Sequence, residues 1–452
     1  MFNQFVLALT VIGSLIFHKI LSPKMRNFLV PWLFAYYFLV ITVVGSAGGE
    51  SGLLHFVFTS MNFFPVMVIC DGFSDSQRRY NPAWTMFLFF YAYMFAVGWT
   101  GYFKLDGTTF YLQSLLNTFC MGYFAARWIC KTEGGLKKLL FPLLLTGCAC
   151  VFYYVFVNQG LTSELNNYGR LEIMLEDSEG ETLLNQNTIA QRIGALLPFI
   201  MLCFLYFDRR YAILKIPSMI VLVILGFVLV RTGSRTGAMA IFPCLWYIFK
   251  FSTDKKVIMK RLVGFVFIIV VFVIGILCTN RREGVLRAFD FMNSQVDYGG
   301  GINRMTTGRW EMYANNLRQF SSMELCFGKG CSNSLYASTG ERIVRFRGAN
   351  AHSIYVTVLY RSGILGLVLL AISIIVFFRQ AGRLGFRGNM AKFLFLTWML
   401  MGVGESWGMN GGAIAILAGL GFGLVVKSPV LNSDFGESIP MGKGWIPAWR
   451  GE

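Results

Sequence analysis

The chain is expected to be all-α: a polytopic integral membrane protein of about 12–13 transmembrane helices with one large outward-facing loop that carries short helices. Three observations predict this. Hydrophobic residues fill 55% of the 452 positions, charged residues only 14%, and the mean hydropathy is +0.57. The apolar runs are roughly 17–25 residues long, enough to cross a hydrocarbon core as helices that satisfy their own backbone groups. No stretch shows the alternation, about ten residues long, of a barrel strand.

The runs that qualify are 4–20, 27–46, 52–70, 83–103, 108–128, 139–158, 188–207, 213–230, 236–251, 262–279, 356–378, 391–407 and 411–427. The first has neither a basic flank before it nor a small-residue cleavage site after it, so it reads as a retained span. Orientation follows from the basic residues of the short loops. Alternate loops are rich in them: Lys19, Lys24 and Arg26; Arg78 and Arg79; Arg127, Lys131, Lys137 and Lys138; Arg209, Arg210 and Lys215; Lys250, Lys255, Lys256, Lys260 and Arg261; Arg379, Arg383, Arg387 and Lys392. With Lys427, Lys443 and Arg450 these are 24 of the 40 Lys and Arg, and they mark the cytoplasmic side. Most of the formal charge of +17 therefore belongs to topology, and a nucleic-acid partner is not expected.

The resulting division is 1–158, N-terminal helices; 159–187, an acidic outer loop; 188–279, four further helices; 280–355, a large outer loop; 356–427, C-terminal helices; and 428–452, an inward tail. The acidic loop reads as a solvated hairpin or short helix, or as a lid. Most cysteines lie in or beside apolar runs, where a thiol packs as a small hydrophobe. Cys326 and Cys331 fall in the large loop, and a disulfide or two free thiols remain equal alternatives there. No His, Asp or Glu cluster has metal-ligand spacing, so neither a metal nor another cofactor is expected.

Positive charge on the outer side breaks the topology rule and so points to an anion. The large loop holds ten Lys or Arg against six acids, and the turn Arg231–Gly237 (RTGSRTG) adds Arg231 and Arg235. Guanidinium groups present forks of donors that match phosphate oxygens. Arg309 opens a segment in which Trp310, Tyr313, Leu317 and Phe320 share one helical face, which would rest on the membrane or on sugar rings. Arg345 and Arg347, two apart in an extended stretch, share a side. His352 follows them, with Asn350 placed to cap the next helix and Tyr355 one turn on; a neutral imidazole there suits proton abstraction from a hydroxyl. Asn187, in NQNTIAQ at the start of the seventh run, suits a sugar hydroxyl or a helix cap. Glu405, in MGVGESWG, would balance an arginine or orient the histidine. Phe327–Gly330 (FGKG) is a glycine turn without Walker spacing, so nucleotide hydrolysis is not expected.

The order of these features resembles the O-antigen ligase and polymerase family of bacterial membrane glycosyltransferases. The resemblance runs over about Leu183–Leu424: NQN..A at a helix start, the TGSR turn, GRW in a large loop, a G.G turn, and NAHS.Y...L...G..GL re-entering the membrane. It implies an inner-membrane enzyme whose site faces the periplasm and whose donor is a glycan on a polyprenyl carrier such as undecaprenyl diphosphate. A glycan or lipid would accept it. The resemblance assigns the diphosphate to Arg235, Arg309, Arg345 and Arg347, supported by Arg231, and activation of the acceptor hydroxyl to His352. A transporter or flippase for an anionic lipid-linked glycan is the competing expectation.

Overall fold

A computed structural model describes residues 19–42, 81–100, 115–157 except 133, 174–177, 180–183, 186–206, 213–251 except 233, 320–328, 334–339, 342–347, 353–404 and 413–426, with isolated positions elsewhere. Expected runs 4–20, 52–70 and 262–279 lie essentially outside the described residues. The body is helical: α1 Pro23–Thr42, α2 Pro82–Thr100, α3 Met121–Lys131, α4 Gly135–Phe152, α5 Gln186–Tyr206, α6 Lys215–Arg231, the short α7 Arg235–Ala238, α8 Ile241–Phe251, α9 Ser322–Phe327, α10 Ile354–Gly382, α11 Gly385–Gly404 and α12 Ala413–Leu424. Wider π-type turns lead into α3 at Leu115–Cys120 and extend α4 at Tyr153–Val157. Among the described residues three stretches are long and apolar enough to cross a membrane: Gly135–Phe156, Ile189–Tyr206 and Ile354–Gly382. Phe28–Val40, Pro82–Val97, Lys215–Leu229, Ile241–Lys250 and Ala413–Leu424 are shorter apolar helices.

Two hairpins depart from the all-α expectation, and both lie in the loops. Strands β1 Met174–Asp177 and β2 Gly180–Leu183 pair antiparallel within the acidic loop. In the large loop β3 Ser334–Thr339 pairs with β4 Arg342–Arg347, the register running from Thr339 opposite Arg342 to Ser334 opposite Arg347. The β-branched Ile343 and Val344 and the aromatic Phe346 of RIVRFR favour a strand.

Contacts sort the helix ends into two groups. At one end Asn81 caps α2, accepting from Trp84 N at 3.2 Å, while its Nδ2 donates to Phe422 O at 2.8 Å. Ala83 N donates to Gln380 Oε1 at 3.2 Å, Tyr206 and Tyr247 share a hydroxyl bond of 2.9 Å, and Arg387 lies against Cys130. At the other end Tyr93 Oη donates to Ser362 O at 3.2 Å, and Arg192 on α5 donates to Tyr154 of the π-turn after α4. The first group adjoins Arg78, Arg79, Lys131, Arg209, Arg210, Arg379 and Arg383, the basic set that charge alone places together.

Glycines set the closest approach. A Cβ at Gly419 or Gly423 of α12 would strike the carbonyl oxygen of Phe119 or Tyr123, and one at Gly122 of α3 would come within 2.8 Å of Leu420 N. The Gly-x-x-x-Gly spacing thus seats α12 backbone to backbone on α3. Around this seat the rings of Trp84 and Tyr123 stack with centroids 4.4 Å apart, and those of Phe377 and Phe395 at 4.0 Å.

Candidate functional site

Four sequence segments far apart in the chain meet at the end of the body opposite the basic one. The RTGSRTG turn is built from its own small polar residues: Thr232 Oγ1 donates to Leu229 O at 2.6 Å, Ser234 N to Thr232 Oγ1 at 3.3 Å, and Gly237 N to Ser234 Oγ at 3.4 Å. Ser234 therefore caps α7, whose first residue is Arg235. Gly237 lets this turn lie on α5, since a Cβ there would sit 2.7 Å from Ala190 Cβ. On its other side a Cβ at Gly404 would come within 3.3 Å of Thr236 Cβ, which joins the turn to the last residue of α11. The start of α10 closes the group. A Cβ at Gly402 would lie 3.1 Å from Ile354 Cγ1, and Tyr355 Oη donates to Met399 O at 3.1 Å.

The structure thus gathers the positions flanking NQN, TGSR, NAHS and GES. Asn187 lies on the first turn of α5, Arg231 ends α6, and Arg235 begins α7. Ser353, buried and extended, is the N-cap residue of α10, so the helix starts two residues beyond His352 rather than being capped by Asn350. Arg345 and Arg347 occupy alternate positions of β4, opposite Tyr336 and Ser334. Arg309, Asn350, His352 and Glu405 lie outside the described residues, as does Cys331; Cys326 is an exposed free thiol.

Tyr355 donates its hydroxyl to the α11 backbone, which ties α10 to α11. At its described positions the aromatic segment after Arg309 packs on α10: Tyr313 O accepts from Tyr360 Oη at 3.1 Å, and Phe320 meets the Tyr360 ring at 5.5 Å.

Two neighbouring residues of α5 join the site on structural grounds. Arg192 is a guanidinium about two turns into an apolar helix, bonded by the Tyr154 hydroxyl. Its signal in the sequence is a lone charge inside an apolar run, a position that is costly without a task. Gln191 is only 6% exposed, and its Nε2 finds no hydrogen-bond partner among the described residues. Thr357 Oγ1, one turn into α10, is likewise buried and unbonded among them. Orphaned polar atoms of this kind are rare in native interiors and call for an explanation.

Residues 220–371 match the O-antigen ligase family. No curated protein matches the chain. The matched stretch begins within α6, takes in the TGSR turn and the large loop, and ends within α10, so it holds two of the four segments that converge, TGSR and NAHS. Set in a body of apolar helices suited to a membrane, residues 220–371 are thus similar to the O-antigen ligase family, and that similarity covers about a third of the chain.

Proposed function

We propose that the protein transfers a glycan from undecaprenyl diphosphate to an acceptor hydroxyl in surface-polysaccharide assembly, at the periplasmic face of the bacterial inner membrane. The convergence of α5, α7, α10 and α11 at the end opposite the basic loops carries this reading. Arg235, Arg309, Arg345 and Arg347 hold the diphosphate, with Arg231 and Arg192 adding positive charge behind them. Asn187 engages a sugar hydroxyl near the donor, and Glu405 orients the base.

His352 takes the proton from the acceptor hydroxyl as its oxygen attacks the anomeric carbon. The carbon–oxygen bond to the carrier breaks, and the electron pair leaves with the lipid diphosphate. Guanidinium groups neutralise that departing charge, so the leaving oxygen needs neither a proton nor a metal ion. Attack opposite the leaving group inverts the anomeric centre.

The test is a reaction of the purified protein in nanodiscs with a lipid-linked glycan, with and without a lipid acceptor, and with products sized by electrophoresis. A ladder identifies a polymerase, and a single addition to the lipid a ligase. Movement of intact donor across sealed vesicles with no transfer would replace this reading with that of a flippase.

A further inference from the structure

Tyr313 and residues 320–328 of the large loop are pinned to one short section of α10, and the pin has two halves that only glycine can supply. Helix α9 is closed at its start by a reciprocal cap: Glu324 N donates to Ser321 Oγ at 3.2 Å, and Ser321 N to Glu324 Oε2 at 2.8 Å. It ends at Gly328, with φ +85° and its N–H donating to Glu324 O at 2.7 Å. A Cβ on Gly328 would collide with the Arg361 carbonyl and Ser362 N.

The reciprocal half is Gly363, which interrupts α10 at φ +65° and ψ −168°. A Cβ on Gly363 would collide with the Cys326 carbonyl and lie 2.6 Å from Gly328 N. The two glycines therefore meet backbone to backbone, both in the left-handed half of conformational space that side chains disfavour. The break frees the Ser362 carbonyl from the α10 ladder, and Tyr93 of α2 donates to it at 3.2 Å. Tyr360, one turn earlier, receives Phe320 and bonds Tyr313.

The break divides α10 into an arm, Ile354–Ser362, and a membrane rod from Ile364 to Gly382. The arm begins two residues after His352. Its far end is held by the loop on one side and by Tyr93 on the other, while its near end is held by Gly402 and Met399 of α11.

We propose that the Gly328–Gly363 contact is a lock that sets the pose of this arm, making Gly328 and Gly363 positioning residues for the transfer step. This rests on the functional reading above for its consequence, though not for the lock itself. The experiment compares wild-type protein with Gly363→Ala, Gly328→Ala and the milder Tyr360→Phe in nanodiscs. Hydrogen exchange over 321–328 and transfer kinetics with the lipid-linked donor are read on the same samples.

The expected result is exchange over 321–328 at least 10-fold faster in both glycine variants, turnover at least 10-fold lower, and a donor KM within about 3-fold of wild type. Tyr360→Phe is expected to lower turnover several-fold while keeping the fold intact. Wild-type exchange rates in Gly363→Ala would overturn the lock. Faster exchange with unchanged turnover would overturn its role in transfer, as would a loss confined to donor KM. Should the glycine variants fail to fold, Tyr360→Phe decides, and unchanged turnover in that variant would also overturn the role. A wild-type protein without any transfer would count against the function and leave hydrogen exchange to decide the lock.

Discussion

At the residue scale the proposal separates binding from chemistry. Arg235→Ala is expected to weaken donor binding roughly 10–100-fold, the worth of a charge-assisted hydrogen bond. His352→Ala should instead leave donor affinity near wild type and cut transfer by about 10²–10⁴-fold, as loss of a general base does. Titrating a labelled donor alongside single-turnover rates distinguishes them, and full turnover in His352→Ala would remove the imidazole from the mechanism. Gln191 carries a different expectation. Its unbonded buried amide costs the fold about 1–3 kcal/mol. Gln191→Leu should therefore raise the thermal midpoint while lowering transfer, if that amide is reserved for an oxygen of the substrate. Lower stability in the variant would show the amide to be a structural asset. The arginines and the histidine stand out in the sequence because basic residues in a loop expected outside are anomalous in a membrane chain. Gln191 was legible only as the last amide of NQNTIAQ, because its burial without a partner among the described residues exists only once α5 has packed into the body.

At the element scale, the seat of α12 on α3 is the contact most exposed to a single change. Gly419→Ile would drive a branched side chain into the Phe119 carbonyl, and overpacking of this kind costs about 2 kcal/mol. Melting of the detergent-solubilised variant should fall accordingly, whereas Gly226→Ala, where an added methyl meets nothing within 4 Å, should melt as wild type does. Most helices of the body were legible from apolar length and composition. The hairpin β3–β4 was half legible: the extended stretch around Arg345 and Arg347 follows from its alternation, but its partner β3 does not, since strand pairing depends on a second segment. The break in α10 is hidden because Gly363 lies inside a stretch that reads as one span despite Arg361 and Ser362, and its backbone packs against a neighbour, Cys326, that is distant in sequence.

At the scale of the whole molecule, the two groups of helix ends fix which loops lie together, and charge then names the side. Cys326 is exposed near the break in α10, so a membrane-impermeant maleimide should label it in intact cells from the outside. The Cys326→Ser variant supplies the background. Labelling only after the membrane is opened would put the whole arginine set on the cytosolic face and end the diphosphate assignment. The expectation for sidedness needs no fold, because basic residues report it locally. The convergence at one end of the residues flanking NQN, TGSR, NAHS and GES was not legible, since their spacing along the chain carries no distance. The bond from Asn81 to the Phe422 carbonyl adds a matter of timing. Its partners are 341 residues apart, and a ribosome adding about 5–20 residues per second needs on the order of 17–70 s to deliver the second after the first. Throughout that interval the early helices wait in the bilayer with the face meant for α12 bare, which makes this stage of biogenesis the one where a membrane chaperone would matter most.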